Sequence, residues 1–255
     1  MLDNKAKDTS WENVATWYDS LVGERGTDFH QTIVMPGALR LLELKAGERV
    51  LDIGCGQGVF CRQLHSKGVS VVGIDASLRM IQSAKQRSPK DIRFEILNAE
   101  KLAQANLGTF DAAACLLAIQ NMEHLDVVLK GCSDALRKSG RLVMVMTHPA
   151  FRIPRQSGWG WDEQRKLQYR RVDRYMSPLK VPIQMHPGSD PGQVTWTFHR
   201  SIETYVKSLT ASGFVISALE EWVSNKESQR GGRSAAENSA RKEIPLFMAI
   251  RAEKG

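Results

Sequence analysis

Residues 49–58, Arg-Val-Leu-Asp-Ile-Gly-Cys-Gly-Gln-Gly, constrain this chain more than any other stretch: an apolar run ends in an acid and breaks at once into glycines. Val50, Leu51 and Ile53 suit a strand buried on both faces, as in a parallel sheet. Gly54, Gly56 and Gly58 permit a sharp turn whose backbone approaches a ligand that a Cβ would obstruct. The dinucleotide fingerprint is G-x-G-x-x-G; here the third glycine arrives one residue early, which disfavours NAD or FAD. Roughly twenty residues on, Val71-Val72-Gly73-Ile74-Asp75 is a second apolar strand ending in an acid, the place where a carboxylate accepts hydrogen bonds from ribose hydroxyls. A glycine turn with such an acid describes a nucleoside site.

The rest of the pattern supports an alternating α/β chain. Strands are expected at 50–53, 70–74, 92–97, 110–115 and 140–147, with helices at 58–67, from Ser77 and at 125–138. Ser77 is placed to cap its helix, and Lys138-Ser139-Gly140 reads as a helix stop. Upstream, 10–21 and 31–44 have amphipathic helical character around a turn at 23–28, a leader able to fold over a ligand. Downstream come a helix at 201–212, a strand at 214–222, a polar connection at 224–241 and a last strand at 245–252. The 255 residues suffice for one large α/β domain with an insertion. The polar start and the lack of a long apolar run favour a cytoplasmic protein without a membrane span. Cys55, Cys61, Cys115 and Cys132 show no C-x-x-C spacing and the histidines are scattered, so no disulfide framework or metal site is expected. The net charge of +7 suits either anionic small molecules or nucleic acid.

Taken in order and spacing, residues 50–60, 72–76, 94–101, 110–122 and 136–147 resemble the successive motifs of class I S-adenosylmethionine-dependent methyltransferases, particularly the group that includes ubiquinone and menaquinone biosynthesis enzymes. The resemblance spans residues 45–150. It implies a Rossmann-like doubly wound seven-stranded sheet, order 3-2-1-4-5-7-6 with the last strand antiparallel, and S-adenosylmethionine as cofactor. By this resemblance Asp52 lies near the methionine amino group, Gly54, Cys55, Gly56 and Gly58 line the methionine and ribose portion, and Asp75 with Ala76 holds the ribose. Asn98, beside Ala99 and Glu100, stands where the family often has an acid at the adenine; its side-chain carbonyl still accepts from an amine, or it serves only as a turn residue. Leu116, Leu117, Gln120 and Asn121 fall beside the sulfonium and the acceptor, where Gln120 and Asn121 either position the nucleophile or cap the next helix. Tyr18, in Trp17-Tyr18-Asp19, resembles a Tyr-Asp element that closes over the cofactor; packing of an amphipathic helix is the simpler alternative.

A general base would take a proton from a hydroxyl or amine acceptor. His148, after the fifth strand, is the first candidate, against a role satisfying turn carbonyls; His30 and His199 follow. The division expected is a helical lid at 1–45 and a methyltransferase domain at 46–255 that includes a substrate cap at 149–200. Between 151 and 180 the cap holds eight basic residues (Arg152, Arg155, Arg165, Lys166, Arg170, Arg171, Arg174, Lys180) against three acids, interleaved with Trp159, Trp161, Tyr169 and Tyr175. Such a set suits an acidic aromatic metabolite or RNA, or else a solvated cap helix with structural ion pairs. The expected reaction is methyl transfer to an oxygen or nitrogen of a small anionic or aromatic metabolite, with RNA methylation and non-catalytic cofactor binding as alternatives.

Overall fold

The computed structural model describes residues 11–184 and 194–255; expectations for the first ten residues and for 185–193 lie outside them. A 3-10 turn (Glu12–Val14) leads into α1 (Ala15–Val22), and a π-turn (His30–Val34) into α2 (Met35–Leu42). The alternating core follows as β1 (Arg49–Ile53), α3 (Val59–His65), β2 (Ser70–Asp75), α4 (Leu78–Arg87), β3 (Arg93–Ile96), β4 (Phe110–Leu116), α5 (Leu125–Ala135) and β5 (Leu136–Thr147). Next come two hairpins, β6 (Ser157–Asp162) with β7 (Leu167–Val172) and β8 (Leu179–Gln184) with β9 (Val194–His199). α6 (Ile202–Ala211), β10 (Phe214–Trp222), α7 (Ser234–Glu243) and β11 (Phe247–Lys254) complete the chain.

The main sheet runs β3-β2-β1-β4-β5-β11-β10, parallel through β5, with β11 antiparallel to both neighbours. With β10 and β11 as sixth and seventh strands, this is the expected 3-2-1-4-5-7-6 order. Both faces are buried, which explains the near-continuous apolar runs. Leu51, Ile53, Val72 and Ile74 pack towards Leu129 of α5 and Leu209 of α6, while Val50, Val71, Ala112 and Val143 pack towards Leu42 and Leu64 on the other side. α2 buries Met35, Ala38, Leu41 and Leu42, at roughly 1.5–3 kcal/mol per large side chain. α1 buries only Ala15 and Val22, so polar contacts must hold it.

Three expectations are corrected. α5 ends at Ala135, not 138, because Leu136 is buried opposite Phe110; the ladder resumes at Ala112 and Arg141, and the residues between bulge out through Ser139 at φ +59°. The polar connection contains α7, whose Ala235, Ala236, Arg241 and Lys242 are good helix formers but which buries only Ala240, so no apolar stripe betrays it. The basic cap is built of hairpins rather than a helix.

Candidate active site

A cavity of about 390 Å³ opens at the carboxyl ends of the parallel strands, where open α/β sheets bind ligands. Asp52 and residues 54–57 enter from β1, Asp75 and Ala76 from β2, residues 97–100 from β3, and Leu116, Leu117 and Asn121 from β4. Trp11, Tyr18 and Val22 cover it from one side and Trp196 and Phe198 of β9 from another.

Backbone geometry fixes the glycine turn. Gly54 and Cys55 N–H both donate to the Ile74 carbonyl at 2.9 Å. The two oxygens of Asp75 accept from Gly56 N–H and Ser77 N–H, each at 2.9 Å, so one carboxylate joins the turn to the start of α4. Gly56, at φ +53°, faces open space, room that a ligand can use. Gly58 does not line the cavity; at φ +79° its missing Cβ would meet the Phe94 ring at 2.9 Å, so it serves close packing. Ser77 caps α4 as expected, accepting from Met80 N–H, and its hydroxyl donates to Glu12.

The charged groups are deeply placed. Asp52 is buried and accepts from the Cys61 thiol at 3.1 Å; burial, with the nearby Asp75 charge, pushes its carboxyl up to about 7. Burial also raises Asp75, and lifts the Tyr18 phenol to about 12 and the Cys55 thiol to about 11. A buried carboxylate on a cavity wall, held by one weak thiol donor, calls for a cationic donor from a ligand. The methionine ammonium of S-adenosylmethionine is such a group.

Asn98 does two things at once. Its Oδ1 accepts from Glu100 N–H at 3.0 Å, capping a 3-10 turn, while the residue lines the cavity with apolar Met80, Leu97 and Ala99 beside it. Glu100 lies on the wall and accepts from His124 N–H at 3.1 Å.

Leu117 sits at φ +54°, an uncommon conformation for a branched residue. Its N–H donates to the Val145 carbonyl at 2.7 Å and its own carbonyl accepts from Gln120 Nε2 at 2.8 Å. Gln120 itself is not on the cavity wall, which corrects the expectation of cofactor contact: it supports Leu117 from behind. Asn121 does reach the wall, and its Oδ1 accepts from Thr197 at 3.1 Å. Arg200 donates to the carbonyls of Met122 and Glu123 at 2.7 and 2.6 Å, so the chain after β9 braces this loop.

The histidines rank differently from expectation. His148 is buried and off the cavity wall: Nδ1 accepts from Ala150 N–H at 3.2 Å and Nε2 pairs with Glu221 at 2.7 Å. Burial lowers its affinity for a proton, but both ring nitrogens are committed, so it is not placed as a base. His199 is likewise buried away from the cavity, bonded to the Tyr175 carbonyl at 2.7 Å. His30 alone of the three lines the cavity. Its Nδ1 is bonded to the Thr27 hydroxyl at 2.7 Å, and burial holds its imidazole below the ordinary value. Sequence reasoning missed Gln57, His124, Trp196 and Phe198 on the wall; the alternating Val-Thr-Trp-Thr-Phe-His of β9 was the available signal for the last two.

Residues 51–144 match the family model described as a methyltransferase domain. Sheet order, the placing of the cavity and the family match agree in supporting a class I S-adenosylmethionine-dependent methyltransferase. A crystal structure of an S-adenosylmethionine-dependent methyltransferase from Mesorhizobium loti superposes with TM-score 0.68 at 26% identity, over 91% of this chain and 100% of that one. An uncharacterized Haemophilus influenzae protein is 27% identical over 208 residues, 75% of this chain and 77% of that protein. The ubiquinone biosynthesis O-methyltransferase of Thiobacillus denitrificans is 29% identical over 113 residues, 42% of this chain and 49% of that enzyme, so the match spans about half of that relative. Among the described residues no helix is long and apolar enough to cross a membrane.

Proposed function

We propose that this enzyme methylates an oxygen or nitrogen of a small metabolite with a planar aromatic portion. The carrying observation is the aromatic wall that Trp196 and Phe198 add to the cavity, next to Asn121, which their neighbour Thr197 bonds. None of the basic cap residues expected to recognise an anion lines the cavity; Lys180 approaches it, but is paired with Glu123 at 3.0 Å. The aromatic reading is therefore the one the cavity favours.

When bound, S-adenosylmethionine supplies a methyl group made electrophilic by its sulfonium. Asp52 and Asp75 hold the ammonium and ribose ends, Asn121 orients the acceptor, and His30 Nε2 takes the acceptor's proton. In-line displacement depends mainly on proximity and alignment. A lowered His30 is neutral near pH 7, as a base requires. His30→Gln is expected to lower kcat by on the order of 10²–10⁴ with little change in cofactor affinity, whereas His148→Gln leaves kcat per folded molecule close to wild type. Steady-state kinetics on the identified acceptor checks both.

Residues 1–45 act here as the lid and 149–200 as the substrate cap. The lid is latched by a polar chain: Arg87 grips Asp19 through contacts of 2.6 and 2.7 Å and also reaches Gln57, which donates to the Gly23 carbonyl at 2.6 Å. Arg87 is 31% exposed, so solvent weakens the pair. Arg87→Ala is expected to weaken cofactor binding by roughly 3- to 10-fold, about 1 kcal/mol, and to open α1 to proteolysis. Calorimetric titration and limited digestion read the two effects.

The deciding experiment incubates the protein with methyl-tritiated S-adenosylmethionine and a cell extract separated into small-molecule, RNA and protein fractions, with Asp75→Ala as control. Label in an aromatic small molecule supports the reading. Label in RNA overturns the acceptor class.

A further inference from the structure

The first cap hairpin gathers charge away from the cavity. Trp159 and Arg170 are directly opposite in the β6–β7 ladder, so their side chains share a face. Arg152, from the segment entering the hairpin, comes over the same indole: its guanidinium and that of Arg170 lie 5.3 and 5.2 Å from the ring centroid. The neighbouring acids are engaged elsewhere, Asp162 with Arg165, Glu163 with Lys166 and Asp173 with Arg171. Arg170 donates to two neutral oxygens, the Phe151 carbonyl at 2.7 Å and the Ser157 hydroxyl at 3.0 Å. Arg152 Nε is buried without an acceptor. Among the described residues neither guanidinium has a carboxylate partner.

Two like charges held against one ring and left without a counter-charge disfavour each other, and a buried donor without an acceptor adds to the cost. Burial, and then the Arg170 charge, bring Arg152 down to about 10. An oxyanion neutralises the pair and matches the fork of each guanidinium. Trp159 is 37% exposed, so the place is open to solvent.

We propose that Arg152 and Arg170, seated on Trp159, form a binding site for a phosphate-type oxyanion carried by a small molecule. The site is separate from the cavity and does not depend on which acceptor is methylated. The test is thermal unfolding of the full chain in inorganic phosphate against sodium chloride of equal ionic strength, with wild type, Arg152→Gln and Arg170→Gln. Phosphate is expected to raise the wild-type Tm in a saturable way, with affinity weakened about 10- to 100-fold in each variant. If Arg152→Gln fails to fold, Arg170→Gln carries the comparison alone. An equal phosphate shift in wild type and Arg170→Gln, or no wild-type shift beyond that in chloride, overturns the site. So does a single-stranded RNA octamer that binds more tightly than phosphate through the same arginines.

Discussion

Asp75→Ala is expected to cut S-adenosylmethionine affinity by on the order of 10²–10⁴ while leaving the sheet folded. The Asp75 carboxylate accepts from Gly56 and Ser77 N–H groups, and charge-assisted bonds of this kind are worth about 1.5–3 kcal/mol each. Their loss frees both the glycine turn and the start of α4, the two backbone segments between which the cofactor lies in the proposed site. Folding suffers less than binding because two effects oppose. The orphaned N–H groups destabilise the variant, but a carboxyl that burial has pushed above its ordinary value is itself penalised in the fold, and alanine removes that penalty. Asp75→Asn keeps one acceptor oxygen and should fall between. Calorimetric titration beside a melting curve separates the outcomes: affinity within about threefold of wild type would remove Asp75 from the cofactor site, whereas a collapsed Tm with no binding would make it chiefly a structural residue.

The cofactor half of this enzyme was legible because its signals are local. A strand that must be buried on both faces announces itself in Val50-Leu51-Asp52-Ile53, and the glycines beside it allow the turn that only such residues adopt without strain. Ser77 could be read as a cap because capping is decided within three residues. The acceptor half was poorly legible for the opposite reason. Whether His148 faces a substrate or a wall is decided by Glu221, seventy-three positions away, and the fate of His199 by Tyr175 across the cap. Nothing near either histidine records those partners. His30 ranked no higher than His199 because it lies in a leader without a strand pattern, yet the packing of α2 onto the core brings it to the cavity. The cap hairpins were obscured by charge: Trp159 and Trp161 do alternate, but the basic residues around them read equally well as a solvated helix face.

A second large effect concerns pH. Burial holds the Asp52 carboxyl at about 7 against 3.8 for the exposed group, so in the cofactor-free enzyme it is protonated in mildly acidic solution. Pairing with the methionine ammonium requires the carboxylate. Cofactor affinity is therefore expected to rise about tenfold per pH unit below 7 and to level off above it, then to fall beyond about pH 8 as the ligand's own amine loses its proton. Calorimetry at pH 6 in buffers of differing ionisation enthalpy should register release of nearly one proton on binding; Asp52→Asn should bind more weakly and show neither the release nor the rise. The same shift carries the opposite sign for folding. A carboxyl whose pKa is raised in the fold contributes stability that is complete below about 3.8 and is lost as pH climbs through about 7. Across those three units the loss is of order 4 kcal/mol, so cofactor-free Asp52→Asn should melt above wild type at pH 8, with the gap closing near pH 4. Saturating S-adenosylmethionine should reverse that ranking at pH 8, because the ligand supplies the counter-charge that the empty fold lacks. A wild-type affinity that stays flat between about pH 5.5 and 7 would mean that Asp52 is ionised throughout and that its partner is not the ammonium.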